Sequence, residues 1–177
     1  MKILYTTEQV QQRIEEMAQD LVEHYPHDKP LFVCLLKGAV PFTSQLMMAI
    51  TRHSPTFYPE VIYTHISAYG DERQATKAIT HSNLDQATVK GREVIVLDDC
   101  LDRGLTYQET KRQLIQYGAK NVALVVLANK QVNRPTNDAP LLSGFETPDV
   151  WLTGMGMDDA ATAPEAERWA GYIGDVS

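Results

Sequence analysis

The chain has 177 residues, of which 44% are hydrophobic and 22% charged, a balance typical of a globular protein and not of a disordered or fibrous one. Its 23 acidic residues outnumber its 16 basic residues, and the formal net charge of −7 argues against a protein that coats nucleic acid through phosphate contacts. No apolar run reaches the length of about 18 residues that a membrane helix needs, and the N-terminus turns polar too early for a signal peptide. We therefore expect a cytoplasmic protein that contacts neither nucleic acid nor membrane.

The first half of the chain predicts helices and strands in alternation. Apolar residues at helical spacing predict a helix from Thr6 to Tyr25, and the apolar run Leu31–Leu36 predicts a strand buried on both faces. A second helix is expected to begin near Pro41 and to end before Ser54. Residues 57–69 are rich in β-forming side chains and predict a strand, whereas 70–83 are polar without any apolar period and predict a mobile surface loop.

The second half continues this alternation. Val94–Leu97 predicts another buried strand, a helix is expected from about Thr106 to Tyr117, and Gly118 is a plausible left-handed stop for that helix. Val122–Leu127 predicts a further strand. Strands and helices in this order, with short connections, indicate an α/β fold with a mainly parallel sheet flanked by helices. Without an internal repeat or a linker, the chain is expected to form a single domain over residues 1–177.

The segment that follows Leu97 carries the clearest chemical signal. Ligands of open parallel sheets gather at the carboxyl ends of the strands, and here a buried strand ends in the three acids Asp98, Asp99 and Asp102. Gly104 then opens a helix whose free backbone N–H groups can hold a phosphate. Carboxylates beside such a cradle suit a ribose diol or a magnesium ion, so the segment indicates a sugar-phosphate site.

This segment resembles the phosphoribosyl pyrophosphate loop of the type I phosphoribosyltransferases. The usual form of that loop is a strand, Glu-Asp, two apolar residues, Asp-Thr-Gly, one variable residue and Thr. The chain matches at Asp99, Asp102, Gly104 and Thr106, keeps an acid at Asp98, and has Arg103 where the family commonly has Thr. The resemblance implies a small hood subdomain made by the chain ends, and a phosphoribosyl site formed by Asp98, Asp99, Asp102, Arg103, Gly104, Leu105 and Thr106.

Further segments resemble the hypoxanthine-guanine branch of that family. The stretch 36–42 is similar to the branch's first loop, whose lysine-glycine peptide binds pyrophosphate and is often cis. The resemblance implies a pyrophosphate site formed by Lys37, Gly38, Ser67, Tyr69 and Arg168, the last matched across an apparent insertion. It implies a purine site formed by Lys130, Trp151, Leu152 and Asp158, and Mg²⁺ held by Asp98, Asp99 and Asp158.

The activity implied by the resemblance is transfer of 5-phosphoribose from phosphoribosyl pyrophosphate to a 6-oxopurine, with Asp102 accepting the proton of the purine nitrogen. A homo-oligomer, either a dimer or a tetramer, is expected. For Arg103, the guanidinium is expected either to contact the 5-phosphate or to turn outward. Two alternatives stay open: a regulator of the same fold that binds nucleotide but turns over poorly, and a transferase that acts on another base such as xanthine.

Several residues also have ordinary structural interpretations. Taken alone, Lys130 is equally well a solvated lysine at a strand end, and Trp151 with Leu152 is more often part of a core. Cys34 and Cys100 lie in or beside apolar runs without a CxxC spacing, so neither a disulfide nor a cysteine metal site is expected.

Overall fold

The computed structural model describes residues 1–25, 29–69, 78–81, 83–135, 138–157 and 165–177, with the backbone alone at 66–69, 78–81 and 165. Within these ranges the strands are β1 (Lys2–Tyr5), β2 (Leu31–Leu36), β3 (Glu60–Tyr69), β4 (Ala78–His81), β5 (Glu93–Leu101), β6 (Asn121–Lys130), β7 (Leu142–Thr147), β8 (Leu152–Thr153) and β9 (Ile173–Asp175). The helices are α1 (Thr7–His24), α2 (Val40–His53), α3 (Gln86–Val89), α4 (Leu105–Gln116) and α5 (Glu165–Arg168).

The larger sheet has the strand order β4-β3-β2-β5-β6-β7. Strands β3, β2, β5, β6 and β7 are all parallel, and β4 pairs antiparallel with β3 at the edge. The predicted parallel α/β sheet is therefore confirmed. Because the strands are parallel, the ends of β2, β5, β6 and β7 lie along one edge, which is where ligands of such sheets bind.

Apolar side chains cover both faces of this sheet, as expected for parallel strands flanked by helices. Along β5, Ile95 and Leu97 belong to a core shared with α1 and α2, whereas Val94 and Val96 face a second core that includes Leu114 of α4. The alternation follows from the pleat, which turns successive side chains to opposite faces. None of the described helices is both long and apolar enough to cross a membrane.

The two chain ends and the segment near residue 152 form a second, antiparallel sheet of order β1-β9-β8. This confirms the expected hood. Its apolar residues Leu152, Met155, Met157 and Ile173 are buried in the core that also contains α1 and α2. The hood is thus packed onto the main sheet on the side of those two helices.

Local signals placed most element boundaries within a few residues. The helix expected from Thr6 is capped by that residue, whose side-chain oxygen accepts from the Gln9 N–H at 3.3 Å, while the Thr6 N–H donates to the Gln9 side chain at 2.8 Å. Gly118 follows α4 with φ +87°, as predicted. The prediction of a loop over 70–83 is wrong for residues 78–81, because pairing with the end of β3 makes them a strand. Strand β5 also runs four residues farther than Leu97, so Asp98 and Asp99 lie within it.

Candidate active site

Asp98 and Asp99 lie side by side near the end of β5, and their neighbouring main chain holds both carboxylates. Oδ1 of Asp98 accepts from the Asp99 N–H at 3.0 Å, and Oδ1 of Asp99 accepts from the Cys100 N–H at 2.9 Å. Burial raises the pKa of both carboxyls, and the charge of Asp99 raises the pKa of Asp98 further. A pair of this kind favours a bound proton or cation.

The donor set of this pair suits magnesium. Mg²⁺ prefers oxygen ligands and is commonly held by one or two carboxylates together with substrate phosphates. No group of three or more acidic, histidine or cysteine side chains that could enclose a metal lies in the described part of the chain. Asp98 and Asp99 therefore fit an ion that arrives with a phosphorylated substrate and do not form a closed protein cage.

A phosphate cradle follows the acids, as predicted. Gly104 has φ +79° and precedes the first residue of α4, a helix of 12 residues. The loop encloses a cavity of about 280 Å³ lined by Asp98 and by the continuous stretch from Cys100 to Tyr107. The free N–H groups at the start of α4 and the helix dipole make this cavity suitable for an anion.

A second cavity of about 330 Å³ adjoins the first, because Cys100 and Asp102 line both. Its walls come from five separate parts of the chain, and its lining residues are Gly38, Asp99, Cys100, Asp102, Lys130, Trp151, Leu152, Gly156, Met157 and Arg168. The fold therefore brings together most of the residues predicted for pyrophosphate and purine, although they are distant in sequence.

Asp102 stands between the two cavities. Its Oδ2 accepts from the Lys130 Nζ at 3.2 Å, and Lys130 is only 6% exposed. The same ammonium lies 5.5 Å from the centre of the Trp151 ring, a cation–π distance. Trp151 is 60% exposed, so the interpretation of this residue as core does not hold. Lys130 is likewise not a solvated strand-end lysine.

Arg103 turns towards acids and not into the helix N-terminus. Its Nε lies 3.6 Å from Oδ1 of Asp102, and its Nη2 lies 3.4 Å from Oδ2 of Asp149. Oδ1 of Asp102 is a buried atom with no hydrogen-bond partner among the described residues. Each oxygen of this carboxylate therefore faces one cation, Lys130 on one side and Arg103 on the other.

Arg134 is a residue of this site that sequence reasoning missed. Its Nε donates to the main-chain oxygen of Asp102 at 2.7 Å, and its Nη2 donates to the main-chain oxygen of Leu101 at 3.0 Å and to Oδ1 of Asn129 at 2.7 Å. Nη2 also donates to the main-chain oxygen of Lys130. The signal was weak, since nothing in the sequence of a single arginine after a strand indicates which carbonyl groups it will meet.

Arg168 and Lys37 approach the acids from opposite ends of the sequence. Arg168 donates to the Gly156 oxygen at 3.1 Å, and its charge opposes the rise in the Asp99 pKa. Lys37 is exposed at the end of β2. The cis peptide bond joins Leu36 to Lys37, so the expectation of a cis bond between Lys37 and Gly38 is wrong by one residue.

Three predicted residues lie outside this description. Asp158 falls in the stretch 158–164, which the structure does not describe, and the side chains of Ser67 and Tyr69 are not described either. Their assignments to the pyrophosphate, purine and metal sites stay predictions.

The chain matches a family model described as "Phosphoribosyl transferase domain" over residues 1–160. It is 30% identical over 173 residues to a hypoxanthine-guanine phosphoribosyltransferase of Bacillus subtilis, covering 98% of this chain and 91% of that protein. It is 28% identical over 158 residues to a hypoxanthine-guanine-xanthine phosphoribosyltransferase of Tritrichomonas foetus, covering 89% and 83%. A structure of a Trypanosoma cruzi hypoxanthine phosphoribosyltransferase variant with IMP superposes at a TM-score of 0.83 and 20% identity, covering 100% and 91%.

Proposed function

Because the chain belongs to the phosphoribosyltransferase family, in its hypoxanthine-guanine branch, we propose that it is a purine salvage enzyme that transfers 5-phosphoribose to hypoxanthine or guanine. The donor is phosphoribosyl pyrophosphate. The bond between the anomeric carbon and pyrophosphate breaks, a bond from that carbon to a ring nitrogen of the purine forms, and IMP or GMP leaves with pyrophosphate. The observation that carries the proposal is Asp102, which lines both the phosphate cavity and the adjoining cavity.

The phosphoribosyl group belongs in the first cavity. Backbone N–H groups of Gly104, Leu105 and Thr106 would bind its 5-phosphate, and Asp98 and Asp99 would hold the ribose hydroxyls. This placement puts the anomeric carbon next to Asp102, between the two cavities. Fixing the sugar in that way supplies the orientation on which displacement at carbon depends.

The leaving group needs positive charge and hydrogen-bond donors. Lys37, the backbone near Gly38 and Arg168 would supply them, with Ser67 and Tyr69 as further predicted ligands. Asp98 and Asp99 would hold Mg²⁺, with Asp158 as a predicted third acid. When bound, this ion would offset the charge that develops on pyrophosphate.

The purine belongs in the second cavity. Trp151 offers an exposed ring for stacking, Lys130 an ammonium for the 6-oxygen, and Leu152 backbone groups for the purine edge. Oδ1 of Asp102 has room to accept the proton from the ring nitrogen, because no hydrogen bond from the described residues occupies it. Lys130 on Oδ2 would keep the carboxylate ionised until the proton arrives.

Pyrophosphate release from the sugar donor with Mg²⁺, measured in parallel with hypoxanthine, guanine, xanthine and adenine, tests this function. We expect turnover with hypoxanthine and guanine, and a fall in kcat of about 10²- to 10⁴-fold in Asp102→Asn, the range of a lost general base. Asp20→Asn, at an exposed position of α1, is the matched control. Equal rates for Asp102→Asn and the parent would remove Asp102 from the chemistry.

The same assay separates the alternatives. A preference for xanthine would move the acceptor to that base, which the T. foetus relative carries in its name. Donor binding without pyrophosphate release would instead indicate a regulator, an outcome that the two cations on Asp102 make worth testing. One domain over residues 1–177, a dimer or tetramer, and a cytoplasmic location stay predictions; light scattering on the purified protein tests the assembly.

A further inference from the structure

Arg103 connects two parts of the site that the sequence separates by 46 residues. Its guanidinium lies between Asp102 at the phosphate loop and Asp149 on the segment between β7 and β8. The Arg103 and Asp149 side chains are 56% and 53% exposed, so the pair sits at the rim of the site. The residue that departs from the family pattern is thus the one that reaches across.

Lys130 makes a parallel connection inside the site. It donates to the other oxygen of Asp102 and faces the ring of Trp151. Because Asp149 and Trp151 are two residues apart on one segment, the two cations link the same carboxylate to two points of the same wall. Asp102 is therefore the common anchor of a closed set of contacts.

The hood holds the wall segment from the other side. The Trp151 N–H donates to the Ser177 hydroxyl at 3.1 Å, and the Val176 N–H donates to the Trp151 oxygen at 3.0 Å. Asp149 lies beyond these bonds, and its ion pair with Arg103 is what ties this end of the segment to the phosphate loop. Removing the pair frees the wall at the edge nearest to Asp102.

We propose that Arg103 is a positioning residue that braces the purine-binding wall through Asp149, and that it does not bind the sugar phosphate. The inference rests on the proposed function, because it concerns the occupant of the second cavity. Losing the brace lets the Trp151 segment move away from the bound base, so ligands with a purine bind less tightly while a bare sugar phosphate binds as before. An exposed ion pair is worth little, which sets the expected effect at about three- to fivefold.

Calorimetric titration with IMP and with ribose 5-phosphate tests this without requiring turnover. Arg103→Met and Asp149→Asn are each expected to raise the Kd for IMP about three- to fivefold and to leave the Kd for ribose 5-phosphate within a factor of two. Arg103→Lys should restore part of the loss, and the double variant should bind IMP no more weakly than either single variant. Arg112→Met, which removes an exposed arginine paired with Glu109 on α4, is the control for loss of charge.

The outcomes separate the two levels of the argument. A rise in the ribose 5-phosphate Kd in Arg103→Met, with Asp149→Asn unchanged, would make Arg103 a phosphate ligand and overturn the brace. Unchanged IMP binding in both variants would overturn it as well. IMP binding by a parent that releases no pyrophosphate would count against the proposed function alone, and a parent that binds no IMP overturns both.

Discussion

The carbonyl oxygen of Gly38 lies 1.8 Å from the point where a Cβ on Gly156 would be placed. On its other side, a Cβ on Gly38 would fall 1.9 Å from Oδ2 of Asp99. The main chain of the β2–α2 loop is thus held between the hood and the acids of β5, with no space for a side chain at either glycine. Gly156 also has φ +97°, a conformation that favours glycine.

Gly156→Ala is expected to destabilise the protein, because the methyl group meets a backbone atom that cannot move aside. We expect a fall of about 1–3 kcal/mol in the free energy of unfolding, measured by urea denaturation. Gly91→Ala is the control, since Gly91 also has a left-handed φ of +75° but nothing within 4 Å of its Cβ position. Equal losses in the two variants would mean that the close approach to Gly38 contributes nothing beyond backbone strain.

Arg134→Lys is expected to impair both stability and activity while keeping the charge. A lysine cannot donate at once to the carbonyl groups of Leu101, Asp102 and Lys130, so the phosphate loop and the end of β6 lose their common clamp. We expect a loss of about 2 kcal/mol in the free energy of unfolding and a fall of about ten- to hundredfold in kcat/KM, as displaced catalytic groups produce.

The matched variant for that measurement is Arg112→Lys, at an arginine of α4 that is 55% exposed and lines neither cavity. Its stability and kcat/KM should remain near those of the parent. A similar decline in both variants would show that the effect belongs to any arginine lost from this region and not to the clamp.

Trp151→Ala is expected to raise the KM for the purine and to leave the KM for the sugar donor nearly unchanged. Stacking of a base on an aromatic ring is worth about 1–3 kcal/mol, which corresponds to an increase of roughly five- to 150-fold. Trp151→Phe should retain most of the affinity. Trp169→Ala removes a tryptophan of similar exposure, 57%, that lines neither cavity, and should alter neither constant; a purine KM that rises only in this control would refute the stacking role.

Cys100 is expected to resist alkylation although it lines both cavities. Burial, with the neighbouring Asp99 carboxylate adding to it, raises the pKa of the Cys100 thiol to about 12 from the ordinary value of 9.0. A raised pKa keeps the thiol protonated, so at pH 8 the reactive thiolate is about a thousandfold scarcer than in the unfolded chain. Iodoacetamide labelling followed by mass spectrometry should show slow modification of native protein that accelerates about tenfold per pH unit above pH 8. Native Cys100 labelled as fast as in urea-unfolded protein would contradict the shift.

The parts of the fold that were predictable are those whose signals are local. The apolar run of β2 and the capping box of α1 lie within a few residues of the structures they specify. The phosphate loop was predictable for the same reason, since Asp98 to Thr106 is one continuous segment. Strand β4 was not predictable, because four residues without a strong pattern become a strand only through pairing with β3.

The candidate site divides along the same line. The sequence by itself determined which residue types stand at the strand ends, because a buried strand that gives way to a glycine-led helix places acids and free N–H groups in a known order. Only the tertiary structure decided that Arg103 faces Asp149, that Arg134 clamps Asp102 to Lys130, and that Arg168 approaches Asp99. Those contacts join residues tens of positions apart, and their geometry follows from how the hood and the sheet pack, which no local pattern encodes.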